Sequence, residues 1–111
     1  MKNRRILFAR TPSGLPVPED FSSDEVAVPV PGDGQFLSRT IWLSLDPYYR
    51  NVMKGSQIYA DRLKPGDPMV GETVAQVVES RHEGFEPGDY VTVRNGWQGH
   101  ALSDGDRKSH V

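Results

Sequence analysis

A chain of 111 residues with a formal net charge of −2 fits one domain of ordinary size, and its scattered cations argue against a nucleic-acid footprint, which needs a clustered basic face. No apolar run approaches the ~20 residues of a membrane-spanning helix, and residues 6–9 are too short for the core of a secretory signal. The sequence has no cysteine, which removes disulfides and thiolate metal sites, and a cytoplasmic location is the expectation.

Nine prolines and eleven glycines break the chain into short apolar runs, a pattern of an all-β domain rather than a helix bundle. Residues 5–9 predict a first strand, and the proline-rich stretch 11–21 an extended loop. Residues 25–30 predict a second strand with Val26, Val28 and Val30 on one face; Pro29 and Pro31 make it an edge strand or end it early. After a turn at Pro31-Gly32-Asp33-Gly34, residues 35–45 give the strongest strand signal. Strict alternation there would send Phe36, Ser38, Thr40 and Trp42 one way and Leu37, Arg39, Ile41 and Leu43 the other.

Residues 46–53 predict a turn or short helix, and the polar stretch 54–68 a loop. A second long strand is expected over 69–80, with Val70, Val74 and Val78 sharing a face with Glu72 and Gln76. Glu86-Pro87-Gly88-Asp89 has proline second and glycine third, the order of a turn whose third residue has positive φ. Short strands follow at 90–93 and 99–102, and residues 104–111 are too polar to pack a core. Pro-Gly-Asp occurs at 31–33, 65–67 and 87–89 with unequal spacing, so it marks turns and no repeat.

Asp46-Pro47-Tyr48-Tyr49-Arg50 concentrates the candidate chemistry. Asp46 can cap a helical first turn, and Pro47 loses no needed donor at its first position. Tyr48, Tyr49 and Arg50 then stand where a strand ends, able to face a ligand or simply to pack. Other chemistry finds little support. The three histidines, His82, His100 and His110, fall in turn, strand-end and tail contexts, so a zinc site with three protein ligands is not expected. Glu19-Asp20 and Asp24-Glu25 read as solvated loop carboxylates rather than a catalytic pair. Gly32-Asp33-Gly34-Gln35-Phe36-Leu37 lacks the third glycine of a dinucleotide fingerprint and precedes a strand instead of opening a helix.

The run 46–50 resembles the Asp-Pro-Tyr-Met-Arg motif of the zinc-free medium-chain reductases, the leukotriene B4 dehydrogenase, prostaglandin reductase and double-bond reductase group. Residues 3–10, 31–35, 69–80, 87–89 and Gly96-Trp97-Gln98 agree with that group in order and spacing. Where zinc-dependent relatives carry Gly-His-Glu, this chain has Val70-Gly71-Glu72.

The resemblance implies a mainly β, GroES-like, partly open β-barrel with short helical turns over residues 1–103, and a truncated linker at 104–111 leading towards an absent cofactor-binding domain. It implies an NADPH-dependent, zinc-free oxidoreductase that reduces the C=C bond of a small enone or enal, with neither nucleic acid nor membrane as partner. The full-length protein is expected to form a homodimer.

Tyr48 matches the motif tyrosine that lines the substrate and nicotinamide cleft, and Tyr49 replaces the usual methionine. Arg50 matches the motif arginine, for which a salt bridge to Glu72 or Asp46 competes with ligand contact. Trp97 matches an element near the cleft mouth or packs a strand end, and Tyr59 could cap substrate from the loop. The proton-donating tyrosine is expected in the absent part. Two further readings stay open on the residues alone, a stand-alone barrel-type binding or assembly module and a small nucleic-acid-binding barrel, the latter opposed by the acidic balance.

Overall fold

The computed structural model describes residues 2–45, 64–105 and 108–111. Among the described residues seven strands appear in chain order: β1 Lys2–Phe8, β2 Phe21–Ala27, β3 Phe36–Leu43, β4 Thr73–Ser80, β5 Tyr90–Val93, β6 His100–Ser103 and β7 Ser109–His110. A three-residue 3₁₀ turn, Pro18–Asp20, is the one helical piece among the described residues. β1 and β2 form a two-stranded sheet, and the rest form a five-stranded sheet in the order β6-β3-β4-β5-β7. All pairings are antiparallel. The fold is mainly β as expected, with sheets that stay open and do not close into a barrel.

Strand boundaries follow pairing more than local apolar content. β1 starts at Lys2, ahead of the apolar run, because residues 2–8 pair in unbroken register with residues 21–27. That same register moves the second strand forward from the expected 25–30 to Phe21–Ala27, and Val30 is left exposed. In β3 the register shifts at Leu37/Ser38 and again between Thr40 and Trp42. A bulge inserts a residue and resets the two-residue alternation. Phe36, Leu37 and Ser38 are therefore all buried in succession, while Trp42 ends up largely in solvent. In β4 the core takes Thr73, Ala75 and Val77, and the valine-bearing face with Val74 and Val78 is the outer one.

Apolar burial divides into two clusters. Phe36, Ala75, Val77, Phe85, Val91 and Val93 fill the inside of the five-stranded sheet, where a fully buried phenylalanine such as Phe36 contributes roughly 2–3 kcal/mol. Phe8 and Met69 form the second cluster, with Phe21, Val70 and Trp97 packed against it, and join the small sheet to the large one. Two of the Pro-Gly-Asp copies make the same turn. Gly66 and Gly88 both have positive φ, and each aspartate places a side-chain oxygen on the N–H three residues back, that of Lys64 or Glu86, at 2.9 Å.

Several polar residues depart from their expected settings. Asp20 is buried rather than solvated: it accepts from Val17 N–H at 2.9 Å and from Arg10 Nε at 2.8 Å, anchoring the proline-rich loop. These partners, Val17 first and Arg10 second, hold its carboxyl below the usual range. Asp24 is bound in two-pronged fashion by Arg5, at 2.9 and 2.6 Å. The tail expected as an unpacked linker instead contributes β7, which pairs Ser109 and His110 with Thr92 and Val91. Its polarity hid that contact, because a two-residue edge strand is held by backbone hydrogen bonds and needs little apolar area.

Candidate functional site

β3 carries the chain to the head of the tyrosine motif. Its last residue is Leu43, and Ser44 N–H then donates to the carbonyl of Glu72 at 3.0 Å, tying the exit of β3 to the approach of β4. Tyr48, Tyr49, Arg50 and Tyr59 lie outside the described residues. The described residues from which the site can be built are Leu43, Gly71, Glu72 and the Gly96-Trp97-Gln98 element.

Residues 69–71, expected as the start of a strand, are held by two other segments, β1 and residues 96–97. Met69 N–H donates to Ile6 O at 3.0 Å, Trp97 N–H to Met69 O at 2.8 Å and Gly96 N–H to Gly71 O at 3.0 Å. Gly96 is essential to that approach. Its φ is +75°, and a Cβ there would stand 2.5 Å from the Met69 carbonyl oxygen. The next residue, Trp97, stacks on Phe21 with ring centroids 5.7 Å apart, and its Nε1 is buried with no hydrogen-bond partner. Trp97 is thus a packed strut as well as a wall of the region.

Gly71 is the second tight point. A Cβ there would lie 2.9 Å from Leu43 Cδ1 and 3.2 Å from Trp97 Cδ1 and Nε1. A side chain at this position has to move the Leu43 methyl group and nudge the indole. Among the described residues no group of three histidines, cysteines or carboxylates is close enough to hold a metal ion. Glu72 makes a salt bridge with Arg94 at 3.1 Å. A pairing of Glu72 with Arg50 falls outside the described residues.

A polar network beneath Gly96-Trp97-Gln98 escaped the sequence reading. Asn95 is buried, and its Nδ2 donates to Ser38 Oγ at 3.0 Å and Thr40 Oγ1 at 3.2 Å. Gln98 Nε2 donates to Asn95 O at 2.8 Å. Asn3, also buried, donates to Gln98 Oε1 and His100 O, both at 3.0 Å, and accepts from His100 N–H at 2.8 Å. Buried amides with their partners satisfied fix one arrangement of the strands they join. The one signal for Asn95 was an Asn-Gly pair at the end of a strand run, and Asn3 sat just ahead of the predicted first strand. The His100 imidazole is pushed down in pKa, by burial first and by Arg39 across the ladder second.

On the outer side of the sheet, Trp42, Leu43, Ser44, Glu72, Thr73, Val74 and Thr92 line an open, mostly apolar groove of about 280 Å³. It lies next to the strand end that leads into the tyrosine motif. No helix among the described residues is long and apolar enough to cross a membrane.

The chain belongs to the family described as the N-terminal domain of oxidoreductase, which it matches over residues 4–111, and within it to the zinc-free medium-chain group. It is 47% identical over 105 residues to the NADPH-dependent curcumin reductase of Escherichia coli, covering 95% of this chain and 30% of that protein. Prostaglandin reductase 1 of Bos taurus is 39% identical over 98 residues, covering 88% of this chain and 28% of that one.

The crystal structure of CurA from Vibrio vulnificus in complex with NADPH superposes with a TM-score of 0.90 at 40% identity, covering 96% of this chain and 32% of that chain. These relatives establish the GroES-like fold and an oxidoreductase family that uses NADPH. The chain spans less than a third of the length of either curated relative.

Proposed function

We propose that this chain is the substrate-side domain of an NADPH-dependent oxidoreductase that reduces the C=C bond of α,β-unsaturated ketones or aldehydes without zinc. The observation that carries this reading is the 105-residue match to a protein described as an NADPH-dependent curcumin reductase. In the reaction, hydride passes from NADPH to the β-carbon, leaving NADP⁺ and an enolate, and a proton then reaches the α-carbon. The enolate oxygen requires a hydrogen-bond donor in a dry site, a role suited to a tyrosine hydroxyl.

Tyr48, Tyr49, Arg50, Tyr59 and Trp97 are the proposed cleft residues. The described residues contain no α-helix and so offer no helix N-terminus for a pyrophosphate. Their proposed part is to wall the nicotinamide and substrate, with the phosphates held by a cofactor-binding domain beyond this chain. Gly71, which offers no ligating side chain where zinc-dependent relatives carry histidine, is in keeping with the zinc-free reading.

The test is made on the protein isolated from its native source. Its intact mass should be about three times that of this chain, and NADPH should be consumed with an enone to give the saturated carbonyl compound, unaffected by a chelator. An allylic alcohol as product, activity lost to chelation, or no turnover of enones by the longer protein would overturn the reading. The isolated 111-residue chain should show no saturable turnover. A cytoplasmic location and a homodimeric whole belong to the same proposal, checked by cell fractionation and by native mass.

A further inference from the structure

The outer face of the five-stranded sheet carries a cross-strand row headed by an exposed aromatic ring. Trp42 of β3 pairs with Val74 of β4, and Val74 with Thr92 of β5. The bulge between Thr40 and Trp42 turns the indole onto this face, where it is 72% exposed. Bulges re-aim side chains and are common beside active sites. The row floors the open groove of about 280 Å³, whose wall includes Leu43. Resting on the reductase reading, we propose that this groove seats an apolar substituent on the β-carbon of the enone. Gly71, acting through Leu43, then determines how large that substituent can be.

Size and chemistry set the ligand. A volume of about 280 Å³ falls just under the ~300–1,000 Å³ of pockets that enclose whole drug-sized ligands, so it suits a side group of the substrate. An exposed indole beside valine and leucine offers flat apolar contact, which an aryl group matches best.

Leu43 borders the groove and also meets Gly71, where a β-carbon would stand 2.9 Å from its Cδ1. The Leu43 backbone has little freedom to yield. It pairs with Thr73, and the next residue, Ser44, donates its N–H to Glu72 O at 3.0 Å. A methyl group at position 71 therefore moves the Leu43 side chain, and the open space beside that side chain is the groove. The Trp97 indole, 3.2 Å from the same β-carbon, is braced by Phe21 and gives less. Gly71 is not among the glycines with positive φ, so its backbone accepts alanine.

The test uses the full-length protein saturated with NADPH and two enones that differ only at the β-carbon, benzylideneacetone with phenyl and ethylideneacetone with methyl. The readout is the ratio of their kcat/KM values, in which a general loss of folded protein cancels. G71A should lower the phenyl-to-methyl ratio about tenfold, the effect of roughly one misplaced methylene in an apolar pocket. W42A, which removes the exposed wall of the groove, should lower it as well. Adding L43A to G71A takes away the crowding methyl and should restore the ratio. G88A, a glycine replacement outside the groove with open space around its Cβ, should leave the ratio unchanged.

A ratio that G71A or W42A leaves in place, no recovery on adding L43A, or an equal fall in G88A would overturn the subsite and leave the reductase reading standing. Turnover of neither enone by the unsubstituted protein would overturn that reading, and the subsite with it.

Discussion

The Cα of Gly96 faces the carbonyl oxygen of Met69 so closely that a β-carbon would come within 2.5 Å of it. The approach lets Trp97 N–H and Gly96 N–H bond the 69–71 segment, which in turn bonds β1 through Ile6. The glycine is one of several points at which the two sheets are joined, beside the Phe8–Met69 cluster and the Asn3 bonds to Gln98 and His100. Gly96→Ala combines a left-handed backbone with a backbone collision that no rotamer can relieve. It should destabilise the chain by about 3 kcal/mol or more, read from the urea midpoint. Gly88→Ala, with positive φ but open space around its Cβ, should cost only about 1 kcal/mol.

Asn95 should behave as the keystone of the buried polar network. Asn95→Ala removes the donor to Ser38 and Thr40 and leaves the buried Ser38 hydroxyl without that partner. A loss of about 2 kcal/mol in unfolding free energy is expected. Ser38→Ala and Asn95→Ala together should cost less than the sum of the two, because the second change removes the orphaned group. Strict additivity in that double-mutant cycle would show that the two residues do not act as one unit.

The sequence disclosed what is locally encoded. Pro87-Gly88 announces its turn because proline fixes one central φ and glycine admits a positive φ at the next, and the structure places Gly88 at +98°. Apolar content located β3 and β5 for the same reason. It failed for β2, whose limits come from pairing with β1, and for β7, which is two polar residues long.

The network at the site was invisible because its members are distant in the chain: Asn95 and Ser38 are 57 residues apart, Asn3 and His100 are 97. Asp20 misled for a related reason. A carboxylate in a proline-rich loop looks solvated until Arg10 and Val17 are seen to enclose it. Trp97 was expected near a cleft mouth or packed at a strand end, and its stacking on Phe21 required a partner on a different sheet.

Asp20 makes acid sensitivity a local property of the loop anchor. Its folded carboxyl is held below the ordinary value, principally by Val17 N–H and then by Arg10. Stability from such a group is present above the unfolded pKa near 4 and is lost as pH falls through the folded value. Asp20→Asn should lower the urea midpoint at pH 7 and shrink the further drop on going to pH 3. Asp24 and Asp89 are shifted in the same direction, so part of the acid response should persist. An acid limb unchanged by Asp20→Asn would mean that the anchor carries none of it.

His100 gives a second pH effect in a higher window. Burial, and secondarily Arg39, lower its folded pKa below the ordinary histidine value of about 6.5, so acidification charges the unfolded chain first. Stability is unaffected above that value and falls as pH drops from there through the folded pKa. The ring Nδ1 is buried and has no partner among the described residues, which leaves a new charge unsupported. His100→Gln should flatten the fall in urea midpoint between pH 6.5 and pH 5, while the backbone bonds from Asn3 to residue 100 persist. An NMR titration of the His100 ring should place its midpoint below that of the same residue in the urea-unfolded chain. A midpoint above it would require an anion beside the ring and would reverse the sign of the predicted slope.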